Sequence, residues 1–71
     1  MLFKMIQLII NGQLHHFDAT LSVAQLLESM ILMNKRIAIE RNGQIVPRSE
    51  FGEQTLVDGD QLEIVIAVGG G

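Results

Sequence analysis

The residues with the clearest chemical potential are the last four, Val68-Gly69-Gly70-Gly71. Three glycines have no side chain to bury and no charge to pair, so we expect them to extend into solvent as a flexible tail. An α-carboxylate on Gly71 would be ionised near neutral pH, and the preceding glycines would let it enter a narrow slot in another protein. The sequence predicts a carboxylate that a partner modifies; a linker remnant is the alternative.

Other polar groups are better explained by structure than by catalysis. His15 and His16 are neighbours on a predicted strand and point to opposite faces, so they are unsuited to sharing a metal ion. Asp58 and Asp60 flank a glycine, which is typical of a turn. The stretch 48–50 contains a serine but no nearby histidine that would activate it, which favours a surface turn. We therefore predict neither a catalytic constellation nor a metal site.

Composition limits the size of the fold and the classes of function. A chain of 71 residues forms one small domain, and without cysteine it has no disulfides or thiolate sites. A net charge of −3, scattered basic residues and the absence of tyrosine and tryptophan argue against nucleic-acid binding. We find no apolar run of membrane-spanning length and no secretory signal, so we expect a cytoplasmic protein that does not bind membranes. A hydrophobic fraction of 48% indicates some apolar surface left for a partner.

Two hairpins are predicted because an Asn-Gly pair separates two apolar runs at each of two places. Asn11-Gly12 and Asn42-Gly43 suit a tight turn in which both central residues take positive φ. Pro47 lacks a backbone donor, so the strand before it ends there or lies at a sheet edge. The predicted strands cover residues 5–10, 13–17, 37–41, 44–46 and 61–68.

One helix is predicted between the two hairpins, over residues 21–33. A capping box formed by Ser22 and Gln25 marks its start, with Thr20 as an alternative N-cap, and Asn34 marks its end. Apolar residues recur at i, i+3, i+4, i+7 and i+8, which places them on one face of the helix. This apolar stripe consists of Val23, Leu26, Leu27, Met30 and Ile31.

The order of these elements predicts an α+β fold, with a four- to five-stranded mixed sheet and the helix packed on one face. We expect the first strand to lie beside the last in parallel, which buries the last strand centrally. Alternation then turns Val65 away from the helix, near Ile9 on the neighbouring strand. We predict that these two side chains form an apolar docking strip leading to the tail; scattered surface aliphatics are the alternative. The core face of the last strand is predicted to carry Leu62, Ile64 and Ile66.

The predicted order resembles the β-grasp, or ubiquitin-like, fold, and several stretches are similar to the ThiS family of thiamine biosynthesis. The stretch 45–51, Ile-Val-Pro-Arg-Ser-Glu-Phe, carries the more specific likeness, although Phe51 stands where tryptophan is frequent. Ile66 similarly replaces a frequent histidine. The Asp-Gly-Asp turn and the final Gly-Gly also occur in the small subunit of molybdopterin synthase. The similar stretches are residues 10–12, 20–27, 45–51 and 58–71.

This resemblance implies a protein co-substrate with a β-grasp domain at residues 1–68 and a glycine tail at 69–71. A ThiF-like adenylyltransferase would use ATP to adenylate the Gly71 carboxylate. Sulfur from a cysteine desulfurase or another donor would convert the adenylate to a thiocarboxylate. A ThiG-like thiazole synthase would then take up the sulfur, and the carrier itself would bind no cofactor. The residues expected to contact these partners are Ile9, Val65, Val68, Gly69 and Gly70.

Two other functions remain open from the sequence. The small subunit of molybdopterin synthase would also use a free Gly71 carboxylate as a sulfur carrier, with a different synthase as partner. A plain ubiquitin-like interaction module would keep its activity after the tail is blocked, because its glycines would be incidental.

Overall fold

The computed structural model describes residues 5–32 and 34–67 of the chain. None of the helices in these ranges is long and apolar enough to cross a membrane. The single α-helix of these ranges, α1, spans Val23–Ser29, and a 3-10 turn spans Arg48–Glu50. The strands are β1 Ile6–Ile10, β2 Gln13–Phe17, β3 Leu21–Ser22, β4 Ile37–Arg41, β5 Gln44–Ile45, β6 Thr55–Leu56 and β7 Gln61–Ile66.

The main sheet has five strands in the order β2-β1-β7-β4-β5, and β3 pairs with β6 in a separate small sheet. β1 and β7 run parallel, while the other neighbouring strands of the main sheet are antiparallel. The last strand is therefore central, as its apolar sequence predicts. The predicted mixed sheet with one helix is confirmed. The sequence does not predict β3 and β6, because each strand is only two residues long.

Both predicted hairpin turns are confirmed, with positive φ at each central residue. Asn11 and Gly12 have φ of 51° and 82°, and Asn42 and Gly43 have φ of 52° and 87°. These values belong to the turn type whose twist matches that of paired strands, which explains the Asn-Gly pairs. β5 is an edge strand and ends at Ile45, one residue earlier than predicted and before Pro47.

The core lies between α1 and one face of the main sheet. Alternate residues of β1 and β7 point into it, and fully burying one such aliphatic side chain contributes about 2 kcal/mol. Ile66 was expected in this core but is 40% exposed, because it lies at the very end of β7. The buried hydrophobic residues are Ile6, Leu8, Ile10, Val23, Leu26, Leu27, Ile39, Val46, Phe51, Leu56, Leu62 and Ile64.

The helix begins with the predicted capping box. The Gln25 amide donates to Ser22 Oγ at 3.0 Å, and the Ser22 amide donates to Gln25 Oε1 at 2.8 Å. The helix starts two residues later than predicted because Leu21 and Ser22 pair with Leu56 and Thr55 in the small sheet. Sequence periodicity does not register this pairing, because the partner residues lie more than 30 positions away.

The end of the helix differs from the prediction by four residues. Ser29 is its last residue and Met30 is the C-cap, so Asn34 is not the cap; Met33 lies outside the described residues. Ile31 follows with a φ of 59° and is 84% exposed, although its spacing predicts a place in the apolar stripe. Leu32 packs against the core instead.

Backbone hydrogen bonds explain this early end. The Leu32 amide donates to the Leu27 carbonyl at 2.8 Å, and the Ile31 amide donates to the Glu28 carbonyl at 3.0 Å. This is the Schellman arrangement, which requires a left-handed residue at the Ile31 position and usually contains glycine there. A β-branched residue in that conformation is strained. The chain accepts the strain because the turn directs Leu32 back onto the core.

We therefore predict that Ile31→Gly stabilises the domain. Glycine removes the left-handed strain, and the lost side chain is almost fully exposed, so the free energy of unfolding should rise by about 1 kcal/mol. Thermal and urea denaturation of the purified variant would measure the change. Ile31→Ala is the matched control, because it removes the same side chain but keeps the strained Cβ; an equal gain in both variants would contradict the explanation.

Candidate functional site

The end of β7 is where the predicted functional tail begins. β7 is hydrogen-bonded on both sides, and after Ile66 the Ala67 amide still donates to the Arg36 carbonyl at 2.8 Å. The chain therefore leaves the sheet from its central strand, beside the segment that enters β4. The predicted site residues Val68, Gly69, Gly70 and Gly71 lie outside the described residues.

Asn11 extends the pairing of β1 with β7 beyond the end of β1. Its amide Nδ2 donates to the Ile64 carbonyl at 3.1 Å, and its Oδ1 accepts from the Ile64 amide at 2.7 Å. The Asn11 backbone amide also donates to the Leu62 carbonyl at 2.9 Å. The side chain thus takes the place that a further β1 peptide would occupy.

Asn42 holds the start of β7 from the opposite side. The Gln61 amide donates to Asn42 Oδ1 at 2.9 Å, and the Asn42 amide donates to the Gln61 carbonyl at 2.8 Å. Its Nδ2 donates to Asp60 Oδ1 at 3.0 Å. The sequence predicts only the turn role of both asparagines. It does not predict their bonds to β7, because these bonds join residues far apart in the chain.

Asp60 is the buried polar residue that organises this end of the sheet. Its Oδ2 accepts from the Val57 amide and from Arg41 Nε, both at 2.9 Å, and forms an ion pair with the same guanidinium. Burial raises the pKa of the Asp60 carboxyl. The bonds from Val57, Asn42 and Arg41 outweigh this effect and lower that pKa below its usual value of 3.8. The arrangement stabilises a charged, hydrogen-bonded carboxylate, which is a structural role.

The turn around Gly59 also forms hydrogen bonds with β1. Asp58 Oδ1 accepts from the Gln7 amide at 2.7 Å, and the Gly59 amide donates to the Gln7 carbonyl at 2.8 Å. The Ile9 amide donates to the Asp60 carbonyl at 3.0 Å. The interpretation of Asp58 and Asp60 as turn residues is confirmed.

Ile9 and Val65 do not form the continuous strip that the sequence predicts. Ile9 pairs with Gln61, so Val65 lies four residues further along β7, about 13 Å away on the same face. The neighbour of Val65 is Ala38 on β4. The two strands are adjacent as predicted, but alternation gives only the face of a residue and not the stagger between parallel strands. Val65 is 60% exposed and Ile9 is half-buried.

The two histidines lie on opposite faces of β2, as predicted. His15 is opposite the buried Leu8. The exposed His16 is opposite Gln7, and the His16 Nε2 lies 3.3 Å from the Gln7 Nε2. Within residues 5–32 and 34–67, no three histidine, aspartate or glutamate side chains are arranged to hold a metal ion.

A shallow depression of about 370 Å³ lies beside the second hairpin. Its polar centre is the Arg41 guanidinium, which already bonds Asp60, the Gln54 amide oxygen and the Thr55 carbonyl. These contacts attach residues 54–55 to β4. The guanidinium of the depression is therefore already used to hold the fold together. It is lined by Arg41, Asn42, Gln44, Ile45, Val46 and Gln54.

Comparison with known proteins agrees with this geometry. The ThiS family matches residues 8–71. A crystal structure of the thiamine biosynthesis protein (ThiS) of Geobacter metallireducens superposes with a TM-score of 0.79 at 30% identity, covering 93% of this chain and all of that one. The sulfur carrier protein ThiS of Bacillus subtilis is 42% identical over 50 residues, 70% of this chain and 76% of that protein.

The class defined by the fold is therefore a β-grasp domain whose central last strand leads into a glycine tail. The chain belongs to the ThiS family, and the resemblance noted from its sequence is confirmed. It is also 42% identical to the thiazole synthase of Paramagnetospirillum magneticum over 65 residues, which is 92% of this chain. The chain spans only about a fifth of the length of the thiazole synthases that it matches.

The lowered pKa of Asp60 predicts how stability depends on pH. The folded pKa lies below the unfolded one, so this stabilisation is fully present above pH 3.8 and is lost as the pH falls through the folded pKa. Asp60→Asn should lower the free energy of unfolding at pH 7 by about 2 to 4 kcal/mol, because it leaves Arg41 without its counter-charge.

Urea denaturation between pH 2 and 7 measures both effects. The difference between wild type and Asp60→Asn should shrink toward pH 2, while the exposed control Asp18→Asn should follow the wild type throughout. A difference that stays constant with pH would show that the Asp60 charge is not what stabilises the sheet.

Proposed function

We propose that this chain is a sulfur carrier protein that supplies the sulfur of the thiazole in thiamine, with the Gly71 carboxylate as the carrier group. The observation that carries the proposal is the family match, which extends through Gly71. It is supported by the relative from Bacillus subtilis, which is named as a sulfur carrier. In this role the chain is a co-substrate of other enzymes and has no turnover of its own.

The chemistry requires activation of the Gly71 carboxylate. The carboxylate attacks the α-phosphorus of ATP, pyrophosphate leaves, and the product is a mixed anhydride with AMP. A sulfur nucleophile then attacks the acyl carbon and displaces AMP. Sulfide gives the thiocarboxylate directly, whereas a donor persulfide gives an acyl disulfide, from which a thiol releases the thiocarboxylate while forming a disulfide with the donor sulfur. An activating partner of the ThiF type supplies the Mg²⁺ and cationic groups that such a phosphate transfer needs.

The domain contributes position to this reaction. β7 is held on both sides, so the direction in which the chain leaves the sheet at Ala67 is set by the fold. Glycines at 69 and 70 have no Cβ, which allows the end of the chain to enter a slot that is narrow on all sides. The partners bind the domain, and the tail carries the reacting group.

A thiazole synthase is the proposed acceptor of the sulfur. Proteins with this name contain a segment similar to this chain. This supports physical association of a sulfur carrier domain with a thiazole synthase. These names also favour thiazole formation over molybdopterin synthesis. A cysteine desulfurase or another sulfur donor and a cytoplasmic location, where ATP is available, complete the proposal.

We predict that Gly71→Ala abolishes ATP–pyrophosphate exchange catalysed by the activating enzyme, without unfolding the domain. The Cβ would obstruct the slot that must admit the carboxylate, and glycine has no side chain whose burial the substitution would remove. Gly52→Ala is the matched control, because a Cβ there meets no atom within 4 Å and the residue has no positive φ. Normal exchange by Gly71→Ala would argue against the glycine tail as the site of activation.

Mass spectrometry tests the carrier role directly. After incubation with ATP, the activating enzyme and a sulfur donor, the intact mass should increase by the difference between sulfur and oxygen. Fragment ions should place that change on Gly71. A chain that remains unmodified under these conditions, while a characterised family member is converted, would favour the plain interaction module.

The two predicted docking residues should now behave differently. Val65→Gln should weaken binding to the thiazole synthase with little change in stability, because Val65 is exposed near the tail. Ile9→Gln should instead lower the melting temperature, because Ile9 is half-buried beside Leu14. Calorimetry and binding measurements on both variants separate the effects. Equal losses of stability would show that Val65 is also part of the packed structure.

A further inference from the structure

The open face of the sheet shows an ordered change of charge leading to the tail. On β4, alternation places Ala38 and Glu40 on this face. Arg36 directly precedes β4, and its carbonyl accepts from the Ala67 amide, so it continues the same alternation; all three residues are exposed. On β7, Val65 lies opposite Ala38, and Glu63 lies opposite Glu40. We call Arg36, Ala38, Glu40, Glu63 and Val65 the charge-ordered panel. It is basic where the tail begins, apolar in the middle and doubly acidic at its inner end.

The acidic end of the panel is unfavourable for the isolated domain. Glu40 and Glu63 are direct cross-strand neighbours, and like charges in this position destabilise a sheet. The ion pair of the described residues joins Arg41 to Asp60, on the other side of the sheet, and includes neither glutamate. The fold therefore gains nothing from this pair, and both charges remain exposed and available to a partner.

The apolar surroundings point to a protein as that partner. Val65 is 60% exposed, and Ile45, which is opposite Glu40 on β5, is 64% exposed. Apolar side chains bordering a charged pair are typical of a protein interface, where charge complementarity sets the orientation and the rate of association. Because the panel ends where the tail begins, a partner covering it is placed to receive the tail.

We propose that the charge-ordered panel is the surface that orients this domain on the thiazole synthase. The partner surface carries a cationic side chain over Glu40 and Glu63, and an acidic group facing Arg36. Arg36, which precedes β4, and Glu40 are four residues apart along the chain, so these groups are separated by about 13 Å. Only one direction of docking matches both charges, and it sets the end of β7 against the partner. This inference rests on the proposed function.

Removing one acidic charge should weaken association while stabilising the free domain. Glu40→Gln and Glu63→Gln should each lower the association rate with purified thiazole synthase by about fivefold at low salt, and less at high salt. The melting temperature should rise by a few degrees. A domain that is more stable yet binds more slowly has not lost its fold. Glu28→Gln, at an exposed position of α1 away from the panel, makes the same change in net charge and should bind as the wild type.

Arg36 provides the opposite test at the other end of the panel. Arg36→Gln should slow association by a similar factor, whereas Lys35→Gln should have a smaller effect, because Lys35 lies outside the paired segment, in a turn where its amide donates to the Leu32 carbonyl. The double variant Arg36→Glu/Glu40→Arg reverses the charge order and should bind more weakly than either single neutralisation. Stopped-flow fluorescence or surface plasmon resonance at two salt concentrations gives these rates.

The outcomes separate this inference from the proposed function. If the wild type binds the synthase and all the panel variants bind equally fast, the panel inference is wrong while the carrier role stands. If the wild type is converted to the thiocarboxylate but does not bind the synthase, the proposed partner is wrong and the panel inference fails with it. If the wild type self-associates and the panel variants do not, the occupant is a second copy of this chain, which also overturns the inference.

Discussion

The burial of one carboxylate, Asp60, is the constraint on which the sheet depends. It joins the β6–β7 turn to β4 through Arg41 and to the second hairpin through Asn42. A buried charge is tolerated only when its hydrogen bonds are satisfied, so these segments must occupy one arrangement. That arrangement places β7 between β1 and β4, and therefore determines where the tail leaves the domain.

Rigidity and reactivity are separated along the chain. The described part of β7 is held from both sides by backbone bonds and by the side chains of Asn11 and Asn42. The proposed reacting group lies beyond it, in a segment without side chains to position. In the proposed function, this division lets the domain present the same surface to each partner. Glycines 69–71 add no side chain that an active site would have to accommodate.

Two local features of the domain are less stable than they could be. Ile31 occupies a left-handed position that usually contains glycine, and Glu40 faces Glu63. The first has a structural explanation, because the turn returns Leu32 to the core. The second has none within the described residues, and this difference is why the glutamates, and not Ile31, indicate a binding surface. Strain alone is not evidence of function.

The sequence by itself determined the hairpin turns, the capping box of the helix and the alternation of the core strands, because each depends on residues close together in the chain. Asn-Gly pairs require positive φ, and Ser22 with Gln25 satisfies the free helix amides. Only the tertiary structure decided the end of α1, the stagger of about 13 Å between Ile9 and Val65, and the pairing of Glu40 with Glu63. These features depend on contacts between distant segments, which periodicity does not encode.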